Sequence, residues 1–195
     1  MSRFDYVELK EEIVSQEVLQ RFDCGHPDFN TFLREDAIKC KNNGEGVTYI
    51  LVLEEEYEKR NITSIFAFAT LQTTALLYHD LDDSESILRM SGVEIKYFAI
   101  TKGFQKQYAY MLNPNKYYST CFLEMLLIKL YSMSIEVIGF QAIFLRANEN
   151  GEKLYRRKQF VDASKYIRTL EEDDPMGKCI PMVLVIQENL YSIFE

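Results

Sequence analysis

Residues 93–160 read VEIKYFAITKGFQKQYAYMLNPNKYYSTCFLEMLLIKLYSMSIEVIGFQAIFLRANENGEKLYRRKQF, and their pattern decides the fold class. An apolar strand ends in Phe98-Ala99-Ile100. A polar loop follows, Lys102 to Lys116, with a turn signal at Asn113-Pro114-Asn115. Ser119 to Val137 is then helical. Phe122, Leu123, Met125, Leu126, Leu127, Ile128, Leu130, Tyr131 and Met133 leave it little polar surface, so the whole stripe is expected in the core. Phe140 to Leu145 is a second strand, and a short amphipathic helix runs to Lys158, capped by Asn148 or Asn150. Two strands, each followed by a helix, make a natural site for a phosphate-bearing ligand.

Outward from this stretch the chain alternates between short strands and helices. A weak strand is expected over 4–9. A Gly-Pro turn at Phe22 to Phe29 opens a helix from Pro27 to about Lys41, with Phe29, Phe32, Leu33, Ala37 and Cys40 on one face. Val47 to Leu53 and Ile62 to Ala75 form a hairpin around a charged turn, Glu54 to Arg60. Leu76 to Arg89 is acidic and irregular, a candidate substrate-side segment. Strands Val161 to Thr169 and Ile180 to Ile186 close the chain around the acidic turn 171–177. The expected architecture is α/β: a mixed, mostly antiparallel central sheet flanked by helices, in a single domain over 1–195.

Composition narrows the function. The chain has 195 residues, 47% hydrophobic, enough for one substantial core. It has no apolar run of transmembrane length, so no membrane partner is expected. The opening MSRFDYVELKEE lacks an apolar signal core, which predicts a cytoplasmic protein. The cysteines (Cys24, Cys40, Cys121, Cys179) are scattered and the only histidines are His26 and His79, so no metal site is expected. Cys24 beside His26 makes a weak Cys-His pair, and surface positions are the expectation for both histidines. Net charge is −8, which disfavours general nucleic-acid binding. Residues 1–95 hold 9 basic and 19 acidic side chains, the remainder 13 and 11, so the half with the expected site is the less acidic.

Three stretches resemble the Gcn5-related N-acetyltransferase superfamily, whose members move acetyl from acetyl-CoA to an amine. Ile95 to Gln105 resembles the family's fourth strand and the start of its pyrophosphate loop. Asn148-Glu149-Asn150-Gly151-Glu152-Lys153-Leu154-Tyr155 resembles its Asn-x-x-Ala-x-x-Phe/Leu-Tyr helix, with Gly151 for Ala. Phe22 to Leu33 is similar to the opening helix of a subgroup that includes toxins acting on aminoacyl-tRNA. The family loop is Gln/Arg-x-x-Gly-x-Gly/Ala. Here Gln105-Lys106-Gln107-Tyr108-Ala109-Tyr110 puts tyrosines at both glycine positions, and about ten extra residues precede the helix. The last family helix also loses its terminal glycine, at Lys158-Gln159-Phe160.

The resemblance implies acetyl-CoA as cosubstrate and an amine acceptor, either a small molecule or a macromolecule. Phe98, Ala99 and Ile100 would align the pantetheine arm by main-chain hydrogen bonds. Gln105 and Lys106, with Lys102 or Lys116, would serve the loop, and Ser119 and Thr120 would replace the glycine contacts at the helix start. Asn148 would hold the arm or cap its helix. Tyr155 would be the general acid, protonated at neutral pH, and Glu94 a base acting through water. The structural alternatives are a packed Tyr155, a surface Glu94, and cap residues in a loop that no longer binds CoA. Arg156-Arg157-Lys158 reads as a phosphate-attracting run or a solvated face. The alternative functions are a non-catalytic interaction module and a toxin acting on aminoacyl-tRNA under an antitoxin's control. A homodimer is left open.

Overall fold

The computed structural model describes residues 3–79, 87–165 and 179–186. The chain divides into two compact units, Met1–Gln72 with Tyr97–Leu130 and Thr73–Lys96 with Tyr131–Glu195. Its strands form a seven-stranded sheet and a separate two-stranded one.

In the first unit, β1 (Phe4–Glu8) leads to α1 (Gln16–Arg21), a helix not expected from the sequence. Its signals are short but physical: Ser15 accepts a hydrogen bond from the Val18 N–H, with Glu17 in the first turn and Arg21 in the last. The helix expected from Pro27 is present in three parts: α2 (Pro27–Thr31), a π turn at Phe32–Asp36, and α3 (Ala37–Asn42). Arg34, in the wide turn, reaches the carbonyls of Leu19 (3.4 Å) and Phe22 (2.8 Å) and closes the end of α1.

β2 (Val47–Leu53) falls where expected and pairs antiparallel with β1, Phe4 opposite Leu53. The charged turn after it is a helical turn, α4 (Glu54–Glu58), whose three glutamates lie in the favourable first turn. β3 (Ala67–His79) starts later than the expected Ile62 and outlasts the expected Ala75. The reason is local. Asn61 and Thr63 are tied to Glu56, so Ile62 and Ile65 fill the core from a loop. Their apolar pattern looks like a strand but carries no ladder.

In the second unit, β4 (Ile87–Ile100) begins earlier than expected. The expected irregular segment 76–89 is therefore strand at both ends, and residues 80–86 lie outside the described residues. β4 pairs in parallel with β7 (Ala142–Ala147), from Gly92–Ala142 to Ile95–Leu145. β7 pairs antiparallel with β9 (Ile180–Val185), which also carries β8 (Val161–Asp162). The strand expected to reach Thr169 stops after two residues, where the Ser164 N–H turns onto the Asp162 carboxylate at 2.8 Å. Residues 166–169 and the acidic turn lie outside the described residues. The sheet order is β1-β2-β3-β4-β7-β9-β8, mixed and mostly antiparallel.

The long helix is α5 (Tyr118–Glu136). Phe122, Leu123, Leu126, Leu127 and Leu130 are fully buried, each contributing on the order of 2 kcal/mol. The Tyr6 hydroxyl donates to the Phe122 carbonyl at 3.2 Å. The stripe is not wholly core, however. Ile128 is 47% exposed, so the helix has an apolar outer face that its composition concealed.

Candidate active site

The first unit holds the strand end and the loop. The β4–β7 ladder stops at Ile95, and Phe98, Ala99 and Ile100 lie on the part of β4 beyond it. Ala99 and Ile100 are buried and Phe98 is half-buried. The chain then leaves the strand through a knot with the Asp23 turn. The Lys102 N–H donates to the Asp23 carbonyl at 2.9 Å, and the Lys102 ammonium sits 2.8 Å from the Asp23 carboxylate. That carboxylate also accepts from the Gly25 N–H (2.8 Å) and the Asn30 amide (3.0 Å). The Lys102 bond first, then the Gly25 N–H and Asn30, hold its pKa down to about 2. Gly25 has φ +85°, and a Cβ there would meet Lys102 Cε at 2.9 Å. The turn thus needs glycine for its backbone and for its partner. Asp23 was not singled out by the sequence; the only hint was an Asp-x-Gly turn, and its partner lies 79 residues away.

Gln105 braces the same knot. Its amide donates to the carbonyls of Cys24 (2.8 Å) and Ile100 (2.7 Å), which occupies both of its hydrogens. What remains is an oxygen, an acceptor that cannot bind an anion. Phe104, in a 3-10 turn at Lys102–Phe104, packs edge-on against Phe66 (5.2 Å) and Tyr118 (4.7 Å), anchoring the loop in the core. The Cys24 thiol has its pKa pushed up by desolvation, opposite to what a nucleophile requires.

The expected irregular loop 102–116 is instead a hairpin, β5 (Tyr108–Ala109) with β6 (Asn113–Tyr117). Lys106, at φ +57°, takes the left-handed turn before it. The Tyr118 N–H donates to the Gln107 carbonyl at 3.0 Å, so the hairpin base is tied to the start of α5 and the first N–H of that helix is occupied. Ser119 and Thr120 follow, both half-buried. Lys116 is paired with Glu124 at 2.9 Å and Lys102 with Asp23. Among the described residues no ion pair reaches the exposed Lys106.

The second unit holds the other candidates. Asn148 caps α6 (Glu149–Arg157), its side chain accepting from the Gly151 N–H at 2.8 Å. A Cβ on Gly151 would lie 2.8 Å from the ring of Tyr155. The glycine that replaces the family's alanine therefore makes room for the tyrosine one turn later. Tyr155 is 9% exposed and meets Phe160 edge-on at 5.8 Å. Burial, with a smaller contribution from Cys179, pushes its hydroxyl well above the usual tyrosine range. It stays protonated at any physiological pH.

The helix ends without glycine, yet Gln159 takes φ +63°, the left-handed conformation that glycine usually supplies. The N–H groups of Lys158 (2.9 Å) and Phe160 (3.2 Å) both donate to the Tyr155 carbonyl and close the helix. Arg156 pairs with Glu152 at 2.7 Å and is exposed with Arg157, but Lys158 is buried, so the basic run is not one solvated face. Glu94 is no surface carboxylate: it pairs with Arg146 at 3.9 Å, both side chains less than a fifth exposed.

A cavity of about 480 Å³ in the first unit, lined by Leu9, Val14, Arg34, Glu35 and Ile38 among others, includes none of these residues. Among the described residues no cluster of side chains forms a metal site, and no helix is long and apolar enough to cross a membrane.

No family model and no curated protein sequence matches the chain. Solved structures do. The structure of AtaTR bound with acetyl-CoA is 17% identical, with coverage of 100% of this chain and 98% of that one and a TM-score of 0.66. AtaT complexed with acetyl-methionyl-tRNAfMet is 17% identical over 99% and 100% of the two chains, TM-score 0.65. The KacTA–DNA complex is 19% identical over 100% and 98%, TM-score 0.58. At such identities the likeness is one of fold, and it runs the length of the chain. The chain has the Gcn5-related N-acetyltransferase fold, in the form shared by AtaT and KacT.

Proposed function

We propose that this chain is an acetyl-CoA-dependent N-acetyltransferase, one domain that passes acetyl to a primary amine by direct attack on the thioester. The observation that carries the proposal is its full-length fold similarity to a structure bound with acetyl-CoA. A neutral amine attacks the thioester carbonyl, the C–N bond forms, and the C–S bond breaks. The leaving thiolate gains a proton and the amine loses one.

Tyr155 serves the thiolate. Burial keeps its proton in place, and the same burial makes it a weaker acid than a thiol, whose reference pKa is about 8.5. Its contribution is a hydrogen bond to the charge developing on sulfur, with the amine's own proton completing the thiol. Glu94 acts on the amine side through water. Taking a proton would break its pair with Arg146, so it orients water more than it abstracts. In the loop, Gln105 is a brace, and Lys106 with Ser119 and Thr120 meets the phosphates. Asn148 acts through its cap on α6, and β4 beyond Ile95 offers its main chain to the pantetheine arm.

A second reading narrows the acceptor to the amino group of an aminoacyl-tRNA, held in check by an antitoxin. It is favoured by the likeness to AtaT complexed with acetyl-methionyl-tRNAfMet and to AtaT bound to the C-terminus of its antitoxin. The net charge of −8 opposes it, because RNA affinity is largely electrostatic. Calorimetry with acetyl-CoA tests the main proposal. Micromolar binding supports it. Absence of heat at millimolar ligand sinks it and leaves a non-catalytic module. Thiol release with charged tRNA, set against small amines, tests the acceptor.

A further inference from the structure

We propose that the β5–β6 hairpin is a stacking platform for the adenine base of acetyl-CoA, with Tyr108 and Tyr110 as the stacking rings. The inference rests on the acetyl-CoA reading above and adds to it where the nucleotide is held.

The hairpin exposes more aromatic surface than folding explains. Tyr110 is 75% exposed, Met111 55% and Tyr108 43%. Exposed apolar side chains occur singly on ordinary surfaces; three within four residues mark a binding surface. The rings are also pre-arranged. Tyr108 stacks on Tyr117 with centroids 4.5 Å apart and planes 24° apart, and the Tyr117 hydroxyl donates to that of Tyr108 at 3.4 Å. Tyr110 lies 6.1 Å from Tyr108 with its plane tilted by 47°, so a flat base stacks on the face of one ring and meets the other obliquely. Ala109 is fully buried between them in sequence and pins the hairpin to the unit. A base arriving here orders little that is not already ordered.

Position and charge suit a nucleotide. Tyr108 pairs with Tyr117, the residue before α5, and the Gln107 carbonyl takes the first N–H of that helix. An anion at the start of α5 would sit beside this platform, and in a nucleotide the base is one ribose away. From Tyr97 to Leu123 the sequence has no acidic residue; Lys102 is paired with Asp23 and Lys116 with Glu124, and no ion pair among the described residues reaches Lys106. Stacking needs only a flat π face, so two tyrosines suffice without a base-specific hydrogen bond. The glycines of the ordinary loop bring backbone to the pyrophosphate; here rings hold the nucleotide from its other end.

Isothermal titration of the wild type, Tyr110→Phe and the double variant Tyr108→Ala/Tyr110→Ala separates the cases. Two ligands are used: acetyl-CoA, and S-acetyl-4′-phosphopantetheine, which has the same thioester arm and no adenosine. The expected result is about ten-fold or greater weakening of acetyl-CoA in the double variant, unchanged affinity for the truncated thioester, and near-normal binding by Tyr110→Phe. Equal weakening of both ligands, or none, overturns the platform while leaving the acetyl-CoA reading standing. Failure of the wild type to bind either ligand overturns both. Loss of aminoacyl-tRNA retention on filters with acetyl-CoA affinity intact gives the platform to the acceptor and overturns this assignment.

Discussion

The two segments that depart from the family's glycine pattern do so in opposite ways. At the end of α6 the residue changes and the geometry stays: Gln159 adopts φ +63° and the helix still closes on the Tyr155 carbonyl. After β4 the residue changes and the geometry goes with it: Tyr108 lies in a strand, and a hairpin stands in place of a tight loop. A missing glycine is therefore not a single kind of loss. At Gln159 a non-glycine residue bears the left-handed strain and the helix end is kept; after β4 the left-handed residue is Lys106 and the chain goes on into a hairpin.

Four experiments press on that contrast, given from the largest expected effect down. Tyr155→Phe should slow transfer by roughly 100-fold or more with acetyl-CoA affinity little changed, as steady-state kinetics alongside calorimetry would read. Equal turnover would remove the hydroxyl from the chemistry and leave α6 a purely structural copy of the family helix. Gly151→Ala places a Cβ 2.8 Å from the Tyr155 ring. We expect about 1–3 kcal/mol of destabilisation and a fall in turnover as the ring moves. An unchanged melting temperature would show that the ring has room to give.

The third is a paired glycine test. Gln159→Gly should stabilise by up to about 1 kcal/mol, because it relieves a left-handed side chain. Tyr108→Gly should destabilise, because it removes a stacked ring from a strand. If both raise the melting temperature, the hairpin is a strained loop and the contrast fails. The smallest effect concerns acid. Asp23 has its folded pKa lowered to about 2 from 3.8, so it contributes stability above the unfolded value and loses it as pH falls from about 4 through 2. Asp23→Asn should flatten that part of the stability–pH curve; a curve that keeps its wild-type shape would mean the Lys102 contact contributes nothing.

The strongly patterned parts of the fold were legible. Val47–Leu53 and the long helix were readable because their patterns are long and their ends marked, and α6 because Asn148 and Asn150 both mark its start, of which Asn148 is the cap. The start of β3 was not, since Ile62 and Ile65 bury themselves from a loop tied to Glu56. The hairpin was hidden because two- and five-residue strands offer too few positions for alternation to show. Of the site, residue types were readable and contacts were not. Nothing local to Gln105 says that its amide will reach Cys24, and nothing near Lys102 announces Asp23.

The Asp23–Lys102 knot has a consequence for anyone who would re-engineer this fold. Its donors and acceptors come from Asp23, Cys24, Gly25 and Asn30 on one side and Ile100, Lys102 and Gln105 on the other. A chimera that imports an ordinary glycine loop after Ile100 would take the Lys102 and Gln105 donors from the carbonyls of Asp23, Cys24 and Ile100 and the Lys102 ammonium from the Asp23 carboxylate. The smallest transplantable block is thus discontinuous: residues 22–30 travel with the loop, and the seams of a working swap lie in two places along the chain.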